Sequence, residues 1–126
     1  MSTVLVVEDE PNVRKLVAVN LSSRGHAVLE AGDVRQALTQ LRTTTPDLLV
    51  LDIKLPDLTG WDLLARISAG AAQPARFPVV VMTASITDAQ ADLEQYPLVV
   101  EVLVKPFSVV KLIAAVERAL RTRLQS

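Results

Sequence analysis

Short apolar runs of leucine and β-branched residues recur along the chain and constrain its fold more than any other feature. Residues 48–51 and 79–82 lack the alternating polar residues of a strand that has one face in water. Such strands are covered on both faces, which is typical of the parallel sheets of α/β proteins. Glu101 interrupts the last run and the second run is weakly apolar, so both are expected at sheet edges. The predicted strands are residues 4–7, 27–31, 48–51, 79–82 and 99–104.

Apolar residues recur at helical spacing between these runs. The first helix is expected to begin near Pro11 and to end before Gly25. Asp33 is expected to cap the second helix, with Gln36 three residues later as in a capping box. The last helix is expected to begin after a cap at Ser108.

Strands that alternate with helices predict an α/β fold, here a doubly wound (βα)5 sheet with right-handed crossovers. A third helix is expected from Gly60, followed by a loop at 68–78 that is rich in Ala, Gly and Pro. The fourth predicted helix, 87–95, is the least apolar. We expect one domain at 1–122 and a tail or linker stub at 123–126.

Composition and charge exclude several classes of function. The chain has 13 basic and 14 acidic residues, so nucleic acid is not expected as a direct partner. It has no cysteine, which excludes disulfides and thiol chemistry. No apolar run approaches the ~20 residues of a membrane span, and Met1 leads into a strand without a signal peptide. We therefore expect a soluble cytoplasmic protein.

Polar residues follow four of the predicted strands, where ligands of open α/β sheets bind. Glu8 and Asp9 follow the first strand and Asp52 follows the third, whereas Thr83 and Lys105 follow the fourth and fifth. Each has an ordinary interpretation, such as an acidic helix start, a turn residue or a solvated lysine. Their coincidence at one end of successive parallel strands instead favours a site.

The residue types at this edge fit one kind of chemistry. Carboxylates that lie close together repel unless a cation or a proton is bound among them. Mg²⁺ binds one or two carboxylates together with water and phosphate oxygens. Phosphoryl transfer needs a positioned nucleophile, charge neutralisation and donors for the equatorial oxygens. The set contains each of these parts and predicts a phosphoryl-transfer site that uses Mg²⁺.

Four segments resemble the receiver domain of two-component response regulators. The resemblance covers nearly the whole chain in the right order and spacing, and four motifs together are specific where one is not. It implies a flavodoxin-like parallel sheet in the order 2-1-3-4-5 and a signalling switch with at most slow self-dephosphorylation. The segments are VLVVEDEP at 4–11, DLLVLDIKLPDLTG at 47–60, VVVMTAS at 79–85 and LVKPF at 103–107.

The resemblance implies a metal-binding role for the acidic residues. Asp9 matches a direct Mg²⁺ ligand, and Glu8 matches its acidic neighbour, which often acts through water. Asp52 contributes a further carboxylate. Lys54 matches the residue that offers its backbone carbonyl, a role that does not depend on the side chain.

The resemblance also assigns the groups that handle the phosphoryl group. Asp52 matches the residue that accepts it from a kinase phosphohistidine. Thr83 matches the hydroxyl that turns toward it, and the Ala84 amide donates beside it. Lys105 matches the lysine that pairs with a phosphoryl oxygen, and its bond to Pro106 is expected to be cis.

The implied partners follow from the same resemblance. A sensor histidine kinase or phosphotransfer protein would supply the phosphoryl group. A downstream protein or a fused output domain would receive the signal. The resemblance also allows a homodimer that forms through the fourth helix, the fifth strand and the fifth helix.

Two departures leave alternatives open. Val102 replaces the Tyr or Phe that usually stands three residues before the lysine, and residues 94–102 lack the usual Gly-Ala turn. A receiver that acts as a docking module without phosphorylation is therefore one alternative. The other is a Mg²⁺-dependent phosphatase with an aspartyl nucleophile, but such enzymes carry a second Asp where this chain has Lys54.

The single tryptophan is expected to lie near the candidate site. Trp61 should pack at the start of the third helix, beside the loop that follows Asp52. Its fluorescence is therefore expected to report Mg²⁺ binding.

Overall fold

One parallel sheet and the helices around it form the fold. The computed structural model describes residues 2–71, 77–87 and 93–125. The strands are β1 (Thr3–Val7), β2 (Ala27–Ala31), β3 (Leu48–Asp52), β4 (Val79–Thr83) and β5 (Val99–Val104). The helices are α1 (Pro11–Ser22), α2 (Val34–Thr43), α3 (Gly60–Arg66) and a C-terminal helix (Val109–Gln125).

The strand order is β2-β1-β3-β4-β5, with every neighbouring pair parallel. This confirms the predicted α/β fold and its order, including the edge positions of β2 and β5. The pairing of β4 with β5 shifts between Val79 and Val80, which face Val99 and Glu101, so Val100 is skipped. The irregularity falls in the segment that departs from the usual receiver sequence.

The sheet separates two buried apolar clusters because successive strand residues point to opposite faces. Val4 and Val6 belong to the cluster that includes residues of α1 and the C-terminal helix. Leu5 and Val7 belong to the cluster that includes residues of α2 and α3. All four are fully buried, as the absence of polar alternation predicts.

The helix ends agree with the sequence except in one detail. Asp33 caps α2 by accepting a hydrogen bond from the Gln36 amide at 2.8 Å, and Ser108 accepts one from the Lys111 amide at 3.2 Å. These caps were predicted. The Gln36 side chain, however, accepts from the Gly32 amide at 2.7 Å rather than from Asp33. The predicted capping box is therefore wrong, because the long side chain reaches the amide one residue earlier.

The segment after α3 also differs from expectation. A π-helical turn, Ile67–Ala71, follows α3 and contains a kink at Gly70, where φ is 98°. The predicted loop start at residue 68 is therefore wrong for the residues before Gly70. Ile67 is fully buried in the core, and this burial favours continued helical winding. The fourth predicted helix, 87–95, lies mostly at 88–92, outside the described residues. The domain boundary after residue 122 stays a prediction, and the C-terminal helix continues to Gln125.

Two further predictions concern the Lys105–Pro106 peptide bond and membrane spans. The peptide bond between Lys105 and Pro106 is cis, as the resemblance implied. Within the described residues, every helix is too short or too polar to cross a membrane.

The first turn of α3 packs tightly on β3. A Cβ at Gly60 would lie 2.6 Å from the backbone oxygen of Asp52. We expect Gly60→Ala to lower the free energy of unfolding by about 1–3 kcal/mol, because backbone must move, as measured by urea denaturation. A Cβ at Gly32 would instead meet the flexible ends of Arg14 and Gln36, at 3.2 and 3.4 Å. Gly32→Ala should therefore change the free energy of unfolding by less than about 0.5 kcal/mol. Equal decreases in the free energy of unfolding of the two variants would contradict this prediction.

Candidate functional site

The carboxyl ends of β1, β3, β4 and β5 surround one open cleft. Parallel pairing places Val7 opposite Leu51, so the residues that follow these two strands are brought to the same edge. The cleft has a volume of about 920 Å³. All the site residues predicted from the sequence line it: Glu8, Asp9, Asp52, Lys54, Thr83, Ala84 and Lys105.

Three acidic side chains converge in this cleft. Glu8 is fully buried and Asp52 is 4% exposed, whereas Asp9 is exposed to solvent. One carboxylate oxygen from each residue lies within 4.8 Å of the other two. At this spacing three ionised groups repel strongly in a partly buried site, so the cluster favours a bound cation or proton.

Lys105 joins two of these carboxyl groups. Its Nζ lies 2.9 Å from Oε1 of Glu8 and 3.1 Å from Oδ2 of Asp52. Its backbone amide donates to the Thr83 carbonyl at 2.7 Å, which fixes the strand end from which the side chain extends. The side chain is 25% exposed. The ordinary interpretation of a solvated lysine is therefore wrong for Lys105.

A second donor contacts the other oxygen of Asp52. The Lys54 amide donates to Oδ1 of Asp52 at 3.1 Å, while the Lys54 side chain is exposed. Each Asp52 oxygen thus accepts one hydrogen bond, from an amide at Oδ1 and from an ammonium at Oδ2. These contacts fix the direction of the carboxylate.

The protonation of Glu8 reflects its burial. Burial, and next the neighbouring Asp52, raise the pKa of Glu8 to about 8, against the lowering effect of Lys105. Burial lowers the pKa of Lys105, but its contacts with Glu8 and Asp52 outweigh this and raise it. Lys105 therefore stays charged, and the site as a whole favours additional positive charge.

The donor set fits a hard cation. Oε2 of Glu8 is buried and has no hydrogen-bond partner among the described residues. A buried carboxylate oxygen without a partner is costly unless a proton or a metal ion binds it. Carboxylate and carbonyl oxygens are the ligands that Mg²⁺ prefers. The acidic cluster is therefore chemically suited to Mg²⁺.

Thr83 is buried, and its hydroxyl forms hydrogen bonds with Ser85 rather than with Asp52. Its hydroxyl donates to the Ser85 carbonyl and accepts from the Ser85 amide, both at 3.2 Å. Ala84 lies exposed between them and lines the cleft. The contact to Ser85 was not predicted, although threonine hydroxyls commonly form hydrogen bonds with backbone groups two residues later.

A further residue of the cleft was also missed. Thr59 lines it and caps α3 in a reciprocal capping box with Asp62, whose carboxylate accepts from the Thr59 amide at 2.7 Å. A threonine followed three residues later by an acidic residue was the available sequence signal. Trp61 lies in the same helical turn.

Comparison with known proteins identifies the family. A family model described as the response regulator receiver domain matches residues 4–117. The chain belongs to the response regulator receiver family. This receiver domain therefore has the fold and the arrangement of strand-end residues that its sequence motifs implied.

Curated relatives are longer proteins. The probable transcriptional regulatory protein TcrX of Mycobacterium tuberculosis is 33% identical, and the match covers 94% of this chain and 50% of the relative. The alkaline phosphatase synthesis transcriptional regulatory protein PhoP of Bacillus subtilis is also 33% identical, covering 94% and 48%. The receiver domain spans about half the length of these relatives.

A solved structure of a response regulator has a similar fold. The response regulator protein TrrA of Thermotoga maritima, crystallised in complex with Mg²⁺ and BeF, superimposes with a TM-score of 0.80. It is 28% identical and the match covers 94% of this chain and 99% of that one.

One expectation finds no support in these relatives. The balanced charge of the chain predicted that nucleic acid is not a direct partner. TcrX and PhoP are, however, named as transcriptional regulatory proteins, and the chain matches only about half of each. The charge argument therefore applies to the surface of this domain alone.

The raised pKa of Glu8 predicts how stability depends on pH. Between its ordinary value of 4.5 and about 8, the folded chain binds more protons than the unfolded chain. Without Mg²⁺, the free energy of unfolding should therefore fall as pH rises through this window. Urea denaturation at several pH values in the presence of a chelator measures the slope.

Two variants test the assignment of this slope to Glu8. Glu8→Gln should flatten it because the titrating group is gone. Glu10→Gln should leave it unchanged because Glu10 is exposed to solvent. A wild-type slope in the Glu8→Gln protein would contradict the prediction.

Proposed function

We propose that this receiver domain accepts a phosphoryl group on Asp52 from the phosphohistidine of a sensor histidine kinase or a phosphotransfer protein. The observation that carries the proposal is the position of the Asp52 carboxylate. Its Oδ2 lies 3.1 Å from the Lys105 ammonium, and one of its oxygens lies within 4.8 Å of acidic oxygens of Glu8 and Asp9. A nucleophile that adjoins both a fixed cation and a cation-binding cluster suits phosphoryl transfer.

Mg²⁺ is the proposed cofactor. Glu8, Asp9, Asp52 and the backbone carbonyl of Lys54 would hold it, with Glu8 acting directly or through water. When bound, Mg²⁺ supplies charge neutralisation for the phosphoryl oxygens and for the crowded carboxylates. The buried Oε2 of Glu8 and the convergence of the three acidic oxygens support this assignment.

The reaction follows from the groups around Asp52. One carboxylate oxygen attacks phosphorus in line, the bond from phosphorus to the histidine nitrogen breaks, and its electron pair stays on the imidazole, which then takes up a proton. Lys105 pairs with a phosphoryl oxygen through its ammonium, which donates to Glu8 and Asp52 and has a third N–H to offer. The domain supplies positioning and charge, and turnover of a substrate is not expected.

Thr83 and Ala84 provide the switch. To donate to a phosphoryl oxygen, the Thr83 hydroxyl must leave the Ser85 backbone, where both of its present hydrogen bonds are made. The Ala84 amide would donate beside it. This exchange favours a different conformation of the chain after β4, and phosphorylation shifts the population toward it.

The output is a protein contact. A downstream protein, or an output domain in a longer chain, would distinguish the two conformations. Self-association through the fourth predicted helix, β5 and the C-terminal helix is one form this contact can take. The half-length match to transcriptional regulators supports the fused arrangement.

The two alternatives receive less support. An aspartyl-nucleophile phosphatase requires a second acid where Lys54 stands, and the Lys54 amide, rather than a carboxyl group, contacts Asp52. A docking module without phosphorylation would account for Val102, but it gives no role to the pairing of Lys105 with Asp52.

Incubation with acetyl phosphate tests the proposal. With Mg²⁺ present, the intact mass should rise by one phosphoryl group, and a chelator should abolish the gain because the acidic cluster is then uncompensated. Asp52→Asn should remove the gain completely. Asp57→Asn is the matched control, since Asp57 is exposed and its φ of 65° suits asparagine equally well.

The result also separates the alternatives. No mass gain in the wild-type protein would overturn the proposal and favour the docking module. Rapid turnover of a model phosphate ester would instead favour the phosphatase.

A further inference from the structure

The chain has one tryptophan and one tyrosine, and their rings stack on each other. The ring centroids of Trp61 and Tyr96 lie 5.9 Å apart and the ring planes are inclined by 15°. This is the offset arrangement that aromatic pairs favour. Both rings are half-buried and pack against the apolar cluster between the sheet and helices α2 and α3.

Trp61 is connected to the backbone of the phosphoacceptor. It follows Gly60, whose amide donates to the Ile53 carbonyl at 2.8 Å. A Cβ at Gly60 would come within 2.6 Å of the Asp52 carbonyl oxygen, so the first turn of α3 lies directly on β3. A tilt of this turn therefore displaces residues 53–59, the loop that contains Lys54.

This loop depends on its surroundings for its shape. Asp57 has a φ of 65°, a left-handed conformation that is costly for a residue with a side chain. The Leu58 amide donates to the Pro56 carbonyl at 2.8 Å, which closes a tight turn at the same place. Such a turn persists when the elements at its ends are held firmly, and the Trp61 ring holds one of those ends.

Tyr96 is tied to the other side of the molecule. Its amide donates to the Leu93 carbonyl at 3.2 Å, and its carbonyl accepts from the Val99 amide at 3.0 Å. The Leu98 carbonyl accepts from the Val79 amide at 2.8 Å, so this segment is anchored at the starts of β4 and β5. The stack therefore connects the loop beside Asp52 to a firmly bonded edge of the sheet.

We infer that Tyr96, acting through Trp61, is a positioning residue for the cation site, an inference that rests on the proposed function. The Tyr96 ring holds the first turn of α3 and thereby the 53–59 loop, whose Lys54 amide donates to Oδ1 of the Asp52 carboxylate at 3.1 Å. Mg²⁺ demands nearly ideal octahedral geometry, so a ligand on a displaced loop is a weaker ligand.

The same contact gives the segment at 93–98 a link to the site. Coupling between two sites is reciprocal, so a cation that binds better when the stack is formed also stabilises the stack. Val102 lacks the ring through which receivers usually respond, and the link through Tyr96 does not use that position. Cation binding at the site would therefore also stabilise the segment at the start of β5.

Mg²⁺ affinity of the complete chain, measured by calorimetry, tests the inference. Tyr96→Ala should weaken binding by about three- to tenfold, because the loop loses its support. Tyr96→Phe keeps the ring and should stay within about twofold of wild type. Leu120→Ala is the control for lost packing, since Leu120 is half-buried against the opposite apolar cluster, and it should also leave affinity unchanged.

A replacement variant and a second measurement complete the experiment. If Tyr96→Ala does not fold, as judged by circular dichroism, Tyr96→Leu replaces it, because leucine retains apolar volume but cannot stack. Unchanged or tighter Mg²⁺ binding in the variant that folds would overturn the inference. Labelling of Asp52 by acetyl phosphate is followed in parallel on the wild-type protein.

The two readouts separate this inference from the proposed function. If the wild-type protein binds Mg²⁺ but is not labelled, the proposed function fails, and the affinities of the variants still decide the role of Tyr96. If it is labelled and the Tyr96 variants bind Mg²⁺ normally, only the inference fails. Absence of any Mg²⁺ binding by the wild-type protein would overturn both.

Discussion

A single ammonium group between two buried carboxyl groups is the interaction on which the site depends. Glu8 is fully buried and Asp52 nearly so, and such groups remain close together at a tolerable cost only with a countercharge. Lys105 supplies part of it from a strand that is not a neighbour of β1 or β3. The Lys105 ammonium reaches both Glu8 and Asp52 because the parallel strands end at the same edge of the sheet. The remaining negative charge, and the Glu8 oxygen that has no partner among the described residues, make the cleft chemically suited to a divalent cation.

The sheet and the members of the site could be predicted from the sequence because both leave a local pattern. Strands buried on two faces are continuous apolar runs, and the residue that follows each run must lie at the carboxyl edge. Asp52 and Lys105 were identified in this way, although each alone has an ordinary interpretation. The helix cap at Asp33 could likewise be predicted, because its partner, the Gln36 amide, is only three residues away in the sequence.

The details that could not be predicted depend on side-chain directions set by distant neighbours. The complete burial of Glu8 and the rotation of Thr83 toward Ser85 follow from packing around the cleft. The stack of Trp61 on Tyr96 joins residues far apart in the sequence and leaves no periodic signal. The π-helical turn Ile67–Ala71 was predicted as a loop because it contains small residues and Gly70, and Gly70 does leave the helical conformation, with a φ of 98°.

The ion pair on β5 has a consequence for solubility. β5 is an edge strand whose outer side is not covered by another strand in the described parts of the chain. Glu101 on this strand is paired with Arg118 of the C-terminal helix at 2.9 Å. A foreign strand that added itself here would have to strip water from this pair, which discourages open-ended polymerisation. We therefore expect this pair to disfavour the extension of one molecule's sheet by β5 of another.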